Sequence, residues 1–476
     1  MQGEIMKTKY NYRAIEEAWE KSNITVLDSC PGSGKTTAIT SFLRDKELNH
    51  VLFVTPFLSE AEKELPNNKL KGMGYKHPEG GLGGKVHNLS QLIQWGDSFN
   101  GNRLHRITCT HSAFTRLRPE SYEQLANYTI IIDETLDVIA PIEGLYQYTD
   151  HLLLGHGTVD SSKRYTFTDH DWFGTLKTAE VDNYNKTGQG KKDMMYELCQ
   201  MGVQNQLYRY STGNWFRMLP PELLSKAKRV IIMTHRFENS FMHCWMKING
   251  ISNSYIDTEK LGLQYELSLI AQLRKNIKFI EAPKKFTEMS EERSFEILSK
   301  SHWGILSENN KIPELGKSLD SLIKEKMKAS KDNIFWTAPK QYRSTIEKHS
   351  QRLRGKINLN SKFEIADCEF IDKNELDNQA CLTHSTWLPC NIKASNDFKH
   401  ITNCLYAYSL NPPPDVLNLL ASTSGLDSTK IVDAFKLNNL LQFIYRGSIR
   451  DNKPMNLCII PEHTKKLLLA YLKLEH

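Results

Sequence analysis

The 476-residue chain has no apolar run approaching the roughly 18 residues that a membrane-spanning helix needs. Its opening stretch, Met1 to Lys7, holds no apolar core of the secretory kind, so an intracellular, cytoplasmic protein is expected. Nine cysteines are scattered with no C-x-x-C pair, which excludes the common zinc and redox spacings. An odd, dispersed set reads as reduced thiols, several of them buried. There is no low-complexity tract, and no strong imbalance of charge. A net charge of +6 and an isoelectric point near 8.6 permit a polyanionic partner without requiring one. What remains is an ordinary water-soluble composition, long enough for two or three domains with full cores.

Against that background one stretch stands out. Ile24 to Leu27 has the length of a buried strand, and it runs into Asp28-Ser29-Cys30-Pro31-Gly32-Ser33-Gly34-Lys35-Thr36-Thr37 and then a helix-compatible segment. Strand, glycine loop, Lys-Thr and helix are the parts of a phosphate cradle. Backbone N–H groups from Cys30 to Thr37 face the phosphates, Lys35 reaches the outer ones, and the Thr36 hydroxyl holds Mg²⁺. The usual pattern G-x-x-x-x-G-K-[ST] is met at Gly34, Lys35 and Thr36, with Ser29 in place of the first glycine and Gly32 adding backbone freedom. The expected ligands are ATP and Mg²⁺.

The flanking chain alternates strands and helices. A helix carrying Tyr12, Ile15, Ala18 and Trp19 precedes the loop and reads as core packing, with stacking of Tyr10 or Tyr12 on a nucleotide base as the alternative. His50 to Val54 is a strand ending at Thr55-Pro56, residues 67–91 read as a surface loop, and Leu104 to Thr110 is a strand ending at Thr110-His111. Thr129-Ile130-Ile131-Ile132-Asp133-Glu134 is a doubly buried strand with two carboxylates at its carboxyl end, where ligands bind in open α/β sheets. Asp133 can hold the Mg²⁺ shell through water opposite Thr36, and Glu134 can orient the water that attacks the γ-phosphate. Residues 141–225 break the rhythm and read as an insertion, helical around Lys192 to Gln206. Arg229 to Met233 is the next core strand, and Thr234 at its end can sense the γ-phosphate.

The second half repeats the α/β pattern without a phosphate loop. Ile277 to Ile280, Asn333 to Thr337, Phe363 to Ala366 and Met455 to Ile460 read as strands. Leu437 to Tyr445 reads as an apolar helix whose 4-residue spacing puts Gln442, Arg446 and Arg450 on one face.

Two α/β units, a phosphate loop and Asp-Glu strand only in the first, and an arginine-bearing helix late in the second resemble a superfamily 2 helicase. The likeness is strongest to the DEAD/DEAH-like helicases of bacteriophages and mobile elements. It implies two RecA-like parallel-sheet motor domains in tandem, residues 1–270 with the insertion and residues 271–476 as the second domain. Within it, Thr55-Pro56, Thr110-His111 and Thr337 correspond to strand-end nucleic-acid contacts, Met233-Thr234-His235 to the coupling motif, and Gln442, Arg446 and Arg450 to the arginine-finger motif. Arg103, Arg106, Arg116 and Arg118 flank one strand-end site, and Lys393 to Asp397 is a further motif candidate. The Asp-Glu-Thr-Leu sequence at 133–136 departs from the family's Asp-Glu-Ala-Asp and Asp-Glu-Ala-His forms.

The resemblance implies an ATP-dependent helicase or translocase on nucleic acid, with DNA favoured over RNA, in a host cytoplasm; two lobes would let a monomer complete its own ATP site. The insertion is a candidate surface for a protein partner. A packaging or remodelling motor that translocates without unwinding is the alternative; the acids it would need in the second half (Asp367, Glu369, Asp372) are dispersed. A non-enzymatic nucleotide switch is a third reading, opposed by an intact Lys35 and Glu134.

Overall fold

The computed structural model describes residues 9–79, 88–94, 105–142, 147–169, 171–172, 174–176, 194–210, 213–263, 266–283, 297–354, 386–390 and 398–474. In chain order the strands of the first half are β1 (Ile24–Asp28), β2 (His50–Thr55), β3 (Tyr75–Lys76), β4 (His105–Thr110) and β5 (Thr129–Asp133). The inserted strands follow: β6 (Ile139–Pro141), β7 (Gly157–Val159), β8 (Tyr165–Phe167), β9 (Leu207–Arg209) and β10 (Trp215–Met218). Then come β11 (Arg229–Thr234) and β12 (Ser254–Tyr255), and in the second half β13 (Ile277–Phe279), β14 (Phe335–Thr337), β15 (Asn403–Tyr406) and β16 (Met455–Ile459).

The first sheet runs β12-β1-β11-β5-β2-β4-β3, every pairing parallel. Its strands read as continuous apolar runs because both faces are covered. Side chains alternate cleanly: Leu27, Val51, Phe53, Ile131, Ile231 and Met233 share one core with the helices Arg13–Lys21 and Lys35–Asp45. Val26, Leu52, Val54, Ile130, Ile132 and Ile232 face the other core, packed by Leu89, Phe114 and Trp245. The second sheet, β13-β16-β15-β14, is also parallel and covered on both faces. Phe335, Tyr406 and Leu457 point to one side, and Trp336, Leu405 and Cys458 to the other. The expected α/β class with two parallel-sheet units is what the chain adopts. Among the described residues no helix is long and apolar enough to cross a membrane.

Several local expectations are revised. The partly helical insertion keeps its expected helix, Met194–Val203, and adds strands: β6-β10-β9 form an antiparallel sheet and β7 pairs with β8. β10 joins it to the first lobe through period-2 alternation, Phe216 and Met218 entering the large core while Trp215 enters a small core with Tyr165 and Leu198. Residues 67–91 are not all loop, since β3 adds an edge strand beside β4 and Leu70 and Leu89 are buried. Strand β15 lies in a segment that composition marks only as rich in Cys, Thr and Asn. The strand expected at Phe363 to Ala366, the motif candidate Lys393 to Asp397, Asp367, Glu369, Asp372 and Arg103 lie outside the described residues.

The cores do not follow the two halves of the chain. Helix Pro414–Ser424, between β15 and the long helix Ser428–Ile444, buries Val416, Leu419 and Leu420 in the first lobe's core, and Ile431 joins them. Each such side chain contributes about 1.5–3 kcal/mol, so the lobes are tied by apolar contact as well as by charge.

Gly447 marks the tightest packing in the second lobe. A Cβ there would sit 2.7 Å from Phe335 Cε1 and 2.9 Å from Met455 Sδ. Gly447→Ala should therefore cost roughly 1–3 kcal/mol of stability. The check is a lower urea midpoint at unchanged denaturant slope.

Candidate functional site

The carboxyl ends of β1, β2, β4, β5 and β11 meet at one edge of the first sheet, as a parallel sheet requires. From β1 the chain enters the glycine loop, where Gly32 and Gly34 take φ of 84° and 95°, a left-handed conformation that other residues adopt only with strain. The loop feeds directly into helix Lys35–Asp45, leaving its first N–H groups facing outward. Ser33 is buried, and its hydroxyl has no hydrogen-bond partner. Lys35 Nζ folds back to donate to the carbonyls of Ser29 and, at 2.9 Å, Cys30. Desolvation lowers the Lys35 pKa, opposed first by Asp133 and then by Cys30, Asp28 and Glu134. Pro31 and Thr36 are half-buried and Thr37 is exposed, all in the same loop and first helical turn.

β11 and the loop are stitched together. Ser29 N donates to the Thr234 carbonyl at 3.0 Å, and the Asp28 carboxylate accepts from Arg236 N at 2.6 Å and Phe237 N at 2.8 Å. Thr234 itself is buried at the strand end beside the loop.

Asp133 and Glu134 close β5, one strand beyond β11. Glu134 has φ 67°, donates its N–H to the Met233 carbonyl at 2.9 Å, and holds Oε2 buried without a hydrogen-bond partner. A non-glycine residue in that region stores strain of order 1–3 kcal/mol and marks a place where side-chain aim matters. Asp133 is pushed up to about 7, mainly by burial, then by Glu60 and Glu134. Glu60 is a residue that the sequence pattern does not mark for the site. It sits in the first turn of the wide helix Glu60–Lys69, accepts from the Thr55 hydroxyl, and faces the same acidic pair. Its position after a Thr-Pro strand end was the available signal.

The second lobe brings Arg446 to this cluster. It is 4 % exposed, and burial lowers its pKa to about 10 against the pull of Glu134 and, more weakly, Glu60. Arg446 therefore stays charged at neutral pH. The expected shared helix face is corrected: helix Ser428–Ile444 ends before Arg446. Gln442 is on the helix and half-buried, Arg446 lies in the turn that follows, and Arg450 is exposed in the 3₁₀ turn Ser448–Asp451. The crowding around Gly447 and the bond from Ser448 N to the Ile401 carbonyl turn the chain there.

The strand-end residues expected to touch nucleic acid are also corrected. Thr55, Pro56, Thr110, His111 and Thr337 are all buried. Thr55 donates to Glu60, Thr110 caps helix His111–Thr115 by accepting from Ala113 N, and His111 Nε2 donates to the Asp133 carbonyl at 2.8 Å. The Thr55 and Thr110 hydroxyls serve the turns they begin, while the buried Thr337 hydroxyl has no hydrogen-bond partner. Arg106 is structural as well, donating to the Leu48 and Met73 carbonyls, while Arg116 is half-buried and Arg118 exposed. Tyr12 packs on Phe42 and donates to Asp45, and Tyr10 is buried with its hydroxyl near Gly34, so neither ring presents a stacking face.

Among solved structures, an XPD helicase covers 97 % of this chain and 97 % of its own, with a TM-score of 0.53 and 14 % identity. The chain shares the fold of that helicase structure. A structure of T4 UvsW aligns over 97 % of this chain and 74 % of that one, at 9 % identity and a TM-score of 0.21, too loosely to add to the comparison. A family model described as the YonV C-terminal Rossmann-like domain matches residues 271–472. The SPbeta prophage-derived protein YonV of Bacillus subtilis (strain 168) is 22 % identical over 460 residues, 94 % of this chain and 98 % of that one. That relative is prophage-derived, in keeping with the expected likeness to proteins of bacteriophages and mobile elements.

The residues present fit a nucleotide with Mg²⁺. The unpartnered Ser33 hydroxyl, the left-handed glycines and the folded-back Lys35 leave a concave, donor-lined loop. No cluster of three or more His, Cys, Asp or Glu side chains among the described residues is arranged to hold a metal. A Mg²⁺ taken by one hydroxyl, water and phosphate oxygens needs none. Because Glu60 is the largest charge raising Asp133, Glu60→Gln should move the Asp133 titration down from about 7 toward the ordinary carboxylate range. A carboxyl infrared band assigned with Asp133→Asn reads this, and an unmoved titration would remove Glu60 from the cluster.

Proposed function

We propose that this chain is an ATP-dependent nucleic-acid translocase or helicase, with DNA as its track. The observation that carries the reading is Arg446. A guanidinium brought from the second lobe is buried within reach of Glu134 and Glu60. Burying one charge against a distant half of the chain costs several kcal/mol unless other charges meet it there, so a purely structural role is a poor account.

In this mechanism the loop N–H groups from Cys30 to Thr37 and Lys35 bind the phosphates of ATP. Lys35 exchanges its bonds to the Ser29 and Cys30 carbonyls for phosphate oxygens. Thr36 and Asp133 would hold Mg²⁺, which supplies charge neutralisation at the β- and γ-phosphates when bound. Glu134, aimed by its strained backbone, orients the attacking water and takes its proton. Arg446 stabilises charge developing on the γ-phosphate, with Gln442 and Arg450 flanking it, and Thr234 links the phosphate to the turn after β11. Because the finger belongs to the other lobe, each turnover is coupled to the lobes' closing and reopening. Nucleic acid lies across both lobes, held chiefly through its phosphates, so binding weakens as salt rises.

Steady-state ATP turnover with no polymer, single-stranded DNA, duplex DNA or single-stranded RNA, at low and moderate salt, is the first test. Stimulation by DNA that fades with salt is expected, and turnover indifferent to every polymer would overturn the translocase reading. Within the same assay Lys35→Ala should abolish turnover. Arg446→Ala should lower kcat by 10³-fold or more, on the order of other arginine fingers, while changing ATP affinity far less. Glu134→Gln should bind ATP and DNA without cycling.

A further inference from the structure

The last helix of the second lobe, Glu462–Tyr471, reaches the phosphate loop of the first. The Tyr471 hydroxyl lies 3.3 Å from Cys30 Sγ and 3.5 Å from His235 Nε2, and Cys30 Sγ lies 3.6 Å from the same nitrogen. Three elements that meet only in the folded chain thus close a triangle of polar atoms. Cys30, 1 % exposed, belongs to two networks at once. Its carbonyl accepts from Lys35, while its thiol faces Tyr471 and His235.

His235 stands on the turn whose next two N–H groups are held by Asp28. Arg236, at φ 56°, lays its guanidinium over the Tyr471 ring at 5.4 Å, and its carbonyl accepts from Asn438 Nδ2 of the long second-lobe helix at 3.2 Å. Phe241, just beyond the turn, stacks on Phe435 of that helix at 5.1 Å. The turn after β11 is thereby gripped from both sides, by Asp28 below and by the second lobe above. The phosphate loop and this turn share one second-lobe contact, Tyr471.

We propose that Tyr471 is a positioning residue of the nucleotide site, which seats Cys30 and His235 so that the phosphate loop takes its binding form only while the second lobe is docked. The inference rests on the nucleotide-site reading of the loop and adds a route between the lobes separate from Arg446. The loop's glycines already hold their left-handed form in this docked arrangement. Loss of the hydroxyl therefore removes preorganisation and weakens binding. Plain packing by Tyr471 is the competing account, since its ring also borders the second-lobe core.

The test is a double-mutant cycle of Tyr471→Phe with His235→Ala, read as affinity for a fluorescent ADP analogue with Mg²⁺ on the full chain. Tyr471→Phe keeps the ring over Arg236 and removes only the hydroxyl. Each single change should weaken the analogue by about three- to tenfold, the scale of one hydrogen bond, and the double variant no more than the weaker-binding single. Tyr471→Ala, which uncovers the thiol, should also raise maleimide labelling of Cys30 severalfold, mapped by mass spectrometry. Wild-type affinity in Tyr471→Phe, strictly additive effects, or Cys30 labelling unchanged in Tyr471→Ala would each overturn the proposal. Failure of the wild-type chain to bind the analogue any better than Lys35→Ala would instead overturn the nucleotide-site reading on which it stands.

Discussion

Charges of both signs withdrawn from water at one seam organise this molecule. Lys35, Asp133, Glu134, Glu60 and Arg446 gather where the carboxyl ends of the first sheet meet the second lobe. None is tolerable there alone, because the desolvation of a single ion exceeds what packing returns. The raised Asp133 and the lowered Lys35 and Arg446 report the same fact from opposite signs.

The lobes are held over this seam by three kinds of contact with different ranges. Val416, Leu419 and Leu420 bury apolar surface in the first lobe's core, a contact indifferent to what the site holds. The Phe241–Phe435 stack and the Asn438 bond grip the turn after β11. Tyr471 touches the phosphate loop itself. The apolar strut joins the lobes away from the charged seam, whereas the polar contacts lie at the phosphate loop and the turn after β11.

Much of this was readable from order along the chain. The apolar strands β1, β2, β5, β11 and β16 announce themselves because strands buried on both faces must be apolar throughout. The phosphate loop is legible since its geometry depends on glycines and a following helix, all local. β15 was missed because Asn403 and Cys404 are polar or small yet buried, their burial set by partners more than 50 residues away. Gln442, Arg446 and Arg450 were expected on one helix face because spacing carries no notice of the crowding at Gly447. The buried fate of Thr55, Thr110 and Thr337 was equally invisible. A threonine at a strand end reads the same whether it caps a turn or meets a polymer.

The sequence by itself determined the α/β alternation, the cradle from Ser29 to Thr37 and the acid pair at the end of β5, because each rests on contacts between near neighbours. Only the tertiary structure decided that Glu60 joins the acids, that Arg446 arrives from the turn after its helix, and that Tyr471 closes on Cys30. Those pairings span up to 441 residues of chain, and their existence depends on how two sheets and the strut between them settle together.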